Sequence, residues 1–288
     1  MKNFSTVGIF CKEKDDRIKV TLTTLYEFLL EKNYKVVALK NSARHIDIPA
    51  TKKKEFCDLI DLAIVVGGDG TLLKAGRLLA DKNIPVIGIN LGRLGFLADV
   101  SPNMIVEQLT PMLASESIIE TRSLLYAEAF RGDESLGASM ALNDVVLHAR
   151  NDVRMIEFDT HIDDVFVNTQ RADGMVVATP TGSTAYALSS GGPILHPSLD
   201  ALVLVPICPH TLSNRPIVIN NKSQITITMG ESRDVGARVS FDGQANIRLK
   251  SGDKVVIQQQ DHTLQLLHPK DYDYFRILRN KLGWSVLP

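Results

Sequence analysis

Short apolar runs alternate with helical patterns in the first third of the chain. The runs that predict strands are 6–10, 36–39, 62–66 and 85–89. Between them, apolar residues recur at three- and four-residue spacing from Ile18 to Leu29, and a second helix is predicted over 72–82. Uniformly apolar strands are typical of a parallel sheet that helices cover on both faces. This segment is therefore predicted to be α/β.

The pattern changes near Ile118, where strands with alternating polar and apolar residues begin. Asp163-Asp164 predicts a tight turn between two of them, since Asp tolerates the required backbone conformations. The second half is predicted to be an antiparallel β domain, a sandwich, and the tail from Asp271 returns to helical spacing. The predicted strands are 124–130, 140–147, 155–162, 165–169, 225–228, 238–241 and 254–257.

The third apolar run leads directly into Gly67-Gly68-Asp69-Gly70-Thr71, and a helical pattern follows. A strand-to-helix turn of an α/β sheet lies at the carboxyl edge, where ligands bind. Glycines there let the backbone approach an anion and adopt positive φ, and a helix N-terminus favours phosphate. Asp69 would be repelled by phosphate unless it binds Mg²⁺ or accepts a proton from a hydroxyl; the alternative is a helix N-cap. The loop is neither a Walker A element nor a Gly-x-Gly-x-x-Gly fingerprint.

A second segment rich in glycine and hydroxyl groups, 179–193, follows an apolar strand at 175–178. Its hydroxyls, its backbone N–H groups and Tyr186 can line a flat polar ligand, or they can form an internal hydrogen-bond network. Arg171 and Asp173 are two residues apart and are predicted to face the same side of one strand.

Asn143 and Asp144 interrupt the apolar strand predicted at 140–147. Polar side chains are costly to bury without partners, so this pair indicates a ligand site or a β-bulge.

Composition excludes several classes of function. The 32 basic residues against 33 acidic residues argue against a dedicated nucleic-acid binder, which would carry a basic excess. The three cysteines and seven histidines show no metal-ligand spacing. The longest apolar run, 201–208, is far too short to span a membrane, and residues 1–10 lack a signal-peptide pattern, so a cytoplasmic protein is expected. Lys52-Lys53-Lys54 is predicted to lie on a solvated helix face.

Taken together, these motifs resemble the bacterial NAD kinases of the ATP-NAD kinase family, over nearly the whole chain. The Gly-Gly-Asp-Gly-Thr loop alone is shared with lipid kinases of the diacylglycerol type. The more particular segments are Thr-Pro-Thr-Gly-Ser-Thr-Ala-Tyr at 179–186, Ser-Gly-Gly-Pro-Ile at 190–194 and Asn-Leu-Gly-Arg-Leu-Gly-Phe-Leu at 90–97.

The resemblance implies a fold of two domains and a returning helix. Residues 1–118 would form an α/β domain with a Rossmann-like open parallel sheet, and residues 119–267 an all-β sandwich that binds NAD. Residues 268–288 would contribute a C-terminal helix that packs on the first domain.

The resemblance also implies transfer of the γ-phosphoryl group of ATP, with Mg²⁺, to the 2′-hydroxyl of the adenosine ribose of NAD. Asp69 would be the base that addresses this hydroxyl. The other implied binding residues are Gly67, Gly68, Gly70, Lys74, Asn143, Asp144, Arg154, Arg171, Asp173, Thr184, Ala185, Tyr186, Ala187, Leu188, Ser189 and Gln244. Many relatives have Glu where this chain has Asp144.

The implied partners are the two substrates and further copies of the chain, as a homodimer or homotetramer, with no nucleic acid and no membrane. A lipid kinase with the same loop and a non-catalytic dinucleotide sensor are the alternatives. The sequence leaves open whether ATP or polyphosphate is the donor, whether NADH is accepted, and whether NADP(H) regulates the activity.

Overall fold

The computed structural model describes residues 4–12, 18–92, 95–150, 155–231 and 236–284. The chain divides into two compact units, of which the first comprises Met1–Thr121 and Leu264–Pro288 and the second Arg122–Thr263. No helix among the described residues is long and apolar enough to cross a membrane.

The first unit is an α/β structure with a parallel sheet in the order β5-β4-β1-β2-β3. The end of a long strand, β17 (Lys254–His268), pairs with β5 in parallel through Leu266 and Val86. The elements of this unit are β1 Thr6–Cys11, α1 Ile18–Glu31, β2 Lys35–Leu39, α2 Lys40–Ile46, β3 Ala50–Thr51, α3 Lys53–Leu59, β4 Leu62–Gly67, α4 Asp69–Leu79, β5 Val86–Asn90, α5 Ile105–Leu113 and, after β17, α7 Tyr274–Leu282.

Burial explains why these segments form strands and helices. Every residue of β4 and β5 is buried, as a sheet with helices on both faces requires. The predicted spacing in α1 is confirmed, because Ile18, Leu22 and Leu25 are fully buried. The predicted exposure of Lys52-Lys53-Lys54 is also confirmed.

The second unit is an antiparallel β-sandwich, as predicted. One sheet has the order β13-β12-β11-β8-β15-β16; the other contains β10-β9-β14-β17 and the β6-β7 pair. The strands are β6 Ile118–Arg131, β7 Glu134–Ala141, β8 Asp144–Ala149, β9 Ile156–Ile162, β10 Val165–Ala172, β11 Gly174–Ala178, β12 Ala201–Ile207, β13 Ile217–Asn220, β14 Ile225–Met229, β15 Ala237–Phe241, β16 Ala245–Leu249 and β17 Lys254–His268, with one short helix, α6 Tyr186–Ser189.

The sandwich core lies between the two sheets. Val145 and Val177 come from one sheet, and Phe158, Ile227 and Val255 come from the other. The predicted turn at Asp163-Asp164 joins β9 to β10, and both residues have positive φ, 50° and 62°. This conformation matches the twist of a two-residue hairpin.

Candidate functional site

The glycine loop joins the buried strand β4 to the helix α4 within the first unit. Gly68 is the N-cap of α4 and Asp69 is its first residue, three positions before the predicted start. Neither Gly67 nor Gly68 has positive φ, so that part of the prediction is wrong. Glycine is needed at Gly67 for space instead, because a Cβ there would lie 2.8 Å from the Cβ of Thr71.

The Asp69 carboxylate is fixed by the backbone of the loop that follows β5. The N–H of Phe96 donates to Oδ2 at 2.9 Å, and the N–H groups of Leu97 and Ala98 donate to Oδ1 at 3.1 and 3.3 Å. The N-cap alternative is therefore wrong, because the carboxylate binds a loop 27–29 residues away and not the first turn of α4.

Gly95 makes this close approach possible. A Cβ on Gly95 would collide with Oδ1 of Asp69 and would come within 3.0 Å of the carbonyl oxygen of Ala98. The fold therefore requires a glycine at Gly95. At Gly92 an added Cβ would contact only the Asn90 side chain, at 3.9 Å.

Gly95→Ala is expected to destabilise the protein by about 1–3 kcal/mol, the usual cost of overpacking a tight site. Urea unfolding of the purified variant measures this change. Gly92→Ala is the matched control and is expected to unfold within about 0.5 kcal/mol of wild type. Equal stability of the two variants would show that the Gly95 contact does not constrain the loop.

A cavity of about 590 Å³ in the first unit is lined by lysines. Lys74 comes from α4, Lys40 from the start of α2, and Lys52 and Lys53 from the start of α3; the described residues that line the cavity include no Asp or Glu. The rest of its lining is Phe10, Leu39, Asn41, Ala50, Thr51 and Leu78. Four lysines in the lining make this cavity suited to a polyanion.

In the second unit, the prediction that Asn143 and Asp144 lie in the middle of a strand is wrong. β7 ends at Ala141 and β8 begins at Asp144, and the two strands belong to different sheets. The chain crosses between sheets at this point, so its backbone N–H groups need other acceptors. Asp242 supplies them: its carboxylate accepts the N–H groups of Leu142, Asn143 and Asp144 at 3.2, 2.8 and 3.3 Å.

Asp144 is a buried acid, with only 5% of its surface exposed. Burial, and to a smaller extent the negative charge of Asp242, raises the pKa of Asp144 from 3.8 to about 7. A carboxyl group with this pKa is substantially protonated at neutral pH and can donate a hydrogen bond to a ligand.

Most hydroxyls of the segment 179–186 form hydrogen bonds within the protein. For these side chains the internal hydrogen-bond network, the second of the two predicted possibilities, is confirmed. Thr179 Oγ1 donates to the Leu142 carbonyl at 2.6 Å and accepts the Gly182 N–H. Ser183 Oγ donates to the Pro180 carbonyl at 2.6 Å and accepts the Leu195 N–H. Thr184 Oγ1 donates to the carbonyl of Thr181. The donor hydrogens of these hydroxyls are used within the protein, so the groups shape the segment.

Tyr186 is the exposed aromatic group of this segment, and its ring stacks on His148 with 5.5 Å between centroids. Burial, with smaller contributions from Cys208, Asp173 and Asp144, raises the pKa of Tyr186. Burial and Arg238 lower the pKa of His148 against the opposing effect of Asp173. The structure thus places Tyr186, His148, Asp173 and Asp144 within one electrostatic neighbourhood. Around Tyr186, Ala185 and Leu188 are half-buried, Ser189 is exposed, and Ala187 is buried in the core.

Arg171 and Asp173 do not share a strand, which corrects the prediction. Arg171 belongs to β10, which ends at Ala172, and Asp173 lies at the crossing to β11 in the other sheet. Both residues are exposed. Gln244 follows the turn at Asp242-Gly243, and it is also exposed. Arg154 lies outside the described residues.

Sequence reasoning missed two contributors to this chemistry, Asp242 and the backbone N–H groups of 96–98. Asp242 was recognisable only as the first residue of an Asp-Gly turn, in which it has a φ of 49°. The segment 90–97 was recognisable as a motif, but donors of the backbone carry no side-chain pattern.

Comparisons with known proteins agree for both units. Residues 7–117 match the model of the ATP-NAD kinase N-terminal domain, and residues 142–268 match that of the ATP-NAD kinase C-terminal domain. A protein of Marinobacter nauticus named NAD kinase is 46% identical over 288 residues, which cover 99% of this chain and 98% of the relative. An NAD kinase of Tolumonas auensis is 47% identical, with 98% and 97% covered.

Solved structures lead to the same family. The yeast NADH kinase in complex with NADH superimposes with a TM-score of 0.90 at 26% identity, covering all of this chain and 90% of the yeast chain. The NAD kinase of Archaeoglobus fulgidus in complex with ATP gives a TM-score of 0.74 at 26% identity, with 96% and 97% covered. Sequence, domain models and fold agree, and the chain belongs to the ATP-NAD kinase family.

Proposed function

We propose that this protein transfers the γ-phosphoryl group of ATP to the 2′-hydroxyl of the adenosine ribose of NAD, which yields NADP. Membership of the NAD kinase family supports this phosphotransferase reaction. The observation that carries the mechanism is the Asp69 carboxylate, which the backbone holds at the end of β4 among glycines.

The hydrogen bonds of Asp69 leave an acceptor position open. A carboxylate oxygen has about two lone-pair sites. Oδ1 accepts two N–H groups and Oδ2 accepts one, so Oδ2 keeps one site for a further donor. A ribose hydroxyl that donates to this site would be oriented for attack on the γ-phosphorus. Asp69 would take its proton as the new O–P bond forms and the bond from the γ-phosphorus to the bridging oxygen breaks, which releases ADP.

The donor ATP is proposed to lie on the lysine-lined cavity and the adjoining N-terminus of α4. Lys74 links the two, because it lies on α4 five residues after Asp69 and also lines the cavity. Lysine ammonium groups and helix N–H groups stabilise phosphate charge, and phosphoryl transfer depends chiefly on such positioning and charge stabilisation.

Mg²⁺ is proposed to arrive with ATP. Among the described residues, no group of three or more His, Cys, Asp and Glu side chains is placed to hold a metal ion. Substrate phosphates commonly bind Mg²⁺ in nucleotide enzymes, and this mode is the one proposed here. The ion would neutralise phosphate charge, whereas Asp69 would accept the proton of the ribose hydroxyl.

The acceptor NAD is proposed to bind the second unit near Asn143, Asp144 and Tyr186. Tyr186 offers an exposed ring for contact with a base, and Asp144 offers a hydrogen-bond donor when protonated. Asp173 and Arg171 add exposed charges of both signs, and Ser189 and Gln244 add exposed polar groups. We propose also that the protein acts in the cytoplasm and as a homo-oligomer.

A coupled assay tests the proposed reaction. The protein is incubated with ATP, Mg²⁺ and NAD, and NADP is followed through a dehydrogenase that requires it. Polyphosphate in place of ATP, and NADH or diacylglycerol in place of NAD, distinguish the open choices of donor and acceptor. Phosphorylation of diacylglycerol without NADP formation, or NAD binding without turnover, would contradict the proposal.

Lys74→Ala is expected to raise the KM for ATP by about 10–100-fold, because a lost charge-assisted contact costs about 1.5–3 kcal/mol. The KM for NAD is expected to stay within about two-fold. Steady-state kinetics with each substrate varied in turn measure both constants. Lys54→Ala, which removes an exposed lysine of α3 that does not line the cavity, is the control. An unchanged KM for ATP in Lys74→Ala would remove this lysine from the donor site.

A further inference from the structure

A buried histidine lies between two carboxylates in the first unit. His268, the last residue of β17, has 1% of its side chain exposed. Its Nδ1 lies 3.0 Å from Oδ2 of Asp99 in a hydrogen bond, and its Nε2 lies 3.3 Å from Oε2 of Glu120, an ion-pair distance without hydrogen-bond geometry. The ring of Tyr272 stacks on the imidazole at 3.9 Å between centroids, and the Tyr272 hydroxyl donates to Glu120 at 3.0 Å.

The charges around His268 favour the imidazolium. Burial lowers the pKa of His268, but Asp99 and Glu120 raise it by more, so that it lies above the ordinary value of 6.5. Tyr272 is a further ionisable group against the imidazole, and Lys270 forms a separate, exposed pair with Glu116 at 2.6 Å. A cation between two carboxylates satisfies charges that would otherwise be costly to bury.

Asp99 joins this cluster to the loop that binds Asp69. It directly follows Ala98, whose N–H donates to Oδ1 of Asp69. On its other side, Val100 is fixed to β5 by bonds from its N–H to Gly88 and from the Asn90 N–H to its carbonyl. Asp99 thus lies between Val100, which is hydrogen-bonded to β5, and Ala98, whose N–H donates to Asp69. The side chain of Asp99 is itself bonded to His268.

The neighbourhood leaves Asp99 dependent on this partner. Oδ1 of Asp99 is buried without a hydrogen-bond partner among the described residues, and Oδ2 is bonded to His268. Without the imidazolium, a buried carboxylate would lose its counter-charge and would be expected to turn toward water. This rotation of the Asp99 side chain would displace the adjoining backbone, which carries the N–H groups that donate to Asp69.

We infer that His268 is a positioning residue for the phosphoryl transfer: it holds Asp99, and through Asp99 it sets the backbone donors that orient Asp69. This inference rests on the proposed function, because it assigns the reactive role to Asp69. It concerns orientation alone, so it predicts a loss in kcat with little change in the KM for either substrate.

The test combines His268→Leu and His268→Asn with Asp69→Asn in a double-mutant cycle. His268→Leu is expected to lower kcat by about 10-fold or more, the loss that a small misorientation of a reacting group produces. His268→Asn keeps an N–H donor near the position of Nδ1 and is expected to recover most of the activity. In the Asp69→Asn background, His268→Leu is expected to change the residual kcat by less than about two-fold, since the group that it positions is already absent.

The controls separate orientation from loss of fold. His262→Leu makes the same substitution at an exposed position of β17 and is expected to keep wild-type kcat. Thermal unfolding gives the folded fraction of each variant. Should His268→Leu not fold, Asp99→Asn replaces it in the cycle, because it removes the charge of Asp99 but keeps an oxygen that can accept the His268 N–H, and it is expected to lower kcat in the wild-type background alone.

The outcomes are distinct. Equal losses of kcat in both backgrounds would show a general structural role and would overturn the inference, as would a wild-type kcat in folded His268→Leu. The pH dependence adds a second measure: a loss of kcat above the pKa of His268 is expected in wild type and not in His268→Asn. If Asp69→Asn alone were fully active, the proposed role of Asp69 would fail instead, whatever the histidine variants showed.

Discussion

Asp69→Asn is expected to reduce NADP formation by about 10²–10⁴-fold, the usual worth of a general base, while NAD binding is retained. The amide cannot accept a proton from the ribose hydroxyl. It also has only one oxygen for the three N–H groups of Phe96, Leu97 and Ala98, so its NH₂ group must face at least one of them. The loop is therefore expected to loosen as well as to lose its base.

Steady-state kinetics in the coupled assay measure the loss, and calorimetric titration with NAD measures binding. Asp81→Asn, on the exposed turn after α4, is the matched control and is expected to keep wild-type kcat. A near wild-type turnover by Asp69→Asn would show that Asp69 is not the base.

Asp144→Asn is expected to flatten the pH dependence of stability without ligand. An acid whose pKa is raised on folding binds more protons in the folded state, so its contribution to the free energy of unfolding falls as pH rises from about 4 to about 7. With a folded pKa of about 7 against 3.8 unfolded, the carboxylate would cost about 4 kcal/mol above pH 7.

The measurement is urea unfolding of wild type and Asp144→Asn at pH 5 and pH 8. Because of Asp144, the free energy of unfolding of the wild type is expected to fall by about 3 kcal/mol more than that of the variant between pH 5 and pH 8. Asp164→Asn, at the exposed β9-β10 turn where Asn also tolerates positive φ, should parallel the wild type. Parallel curves for wild type and Asp144→Asn would mean that the acid is ionised throughout.

Much of the fold follows from local patterns in the sequence. The apolar runs at 62–66 and 85–89 correspond to β4 and β5 within one or two residues. The helical spacing from Ile18 to Leu29 corresponds to α1. These patterns suffice because burial on one or two faces imposes a period on the residues of each element.

The errors occur where the chain leaves one sheet for the other. A continuous strand was predicted at 140–147, but Leu142 and Asn143 separate β7 from β8. Arg171 and Asp173 were placed on one strand, but β10 ends between them. The first segment is apolar on both sides of the crossing, and the second is polar before it and apolar after it, but neither pattern contains a signal for a change of sheet.

The sequence by itself determined the alternation of strands and helices, the loop at Gly67-Gly68-Asp69-Gly70, and the family to which these motifs belong. Only the tertiary structure decided what each carboxylate does. Asp69 binds backbone groups 27–29 residues away, Asp242 binds groups 98–100 residues away, and His268 lies 169 residues from Asp99. Local periodicity cannot encode such pairings, because they arise from the packing of elements and the donors are largely backbone groups that every residue shares.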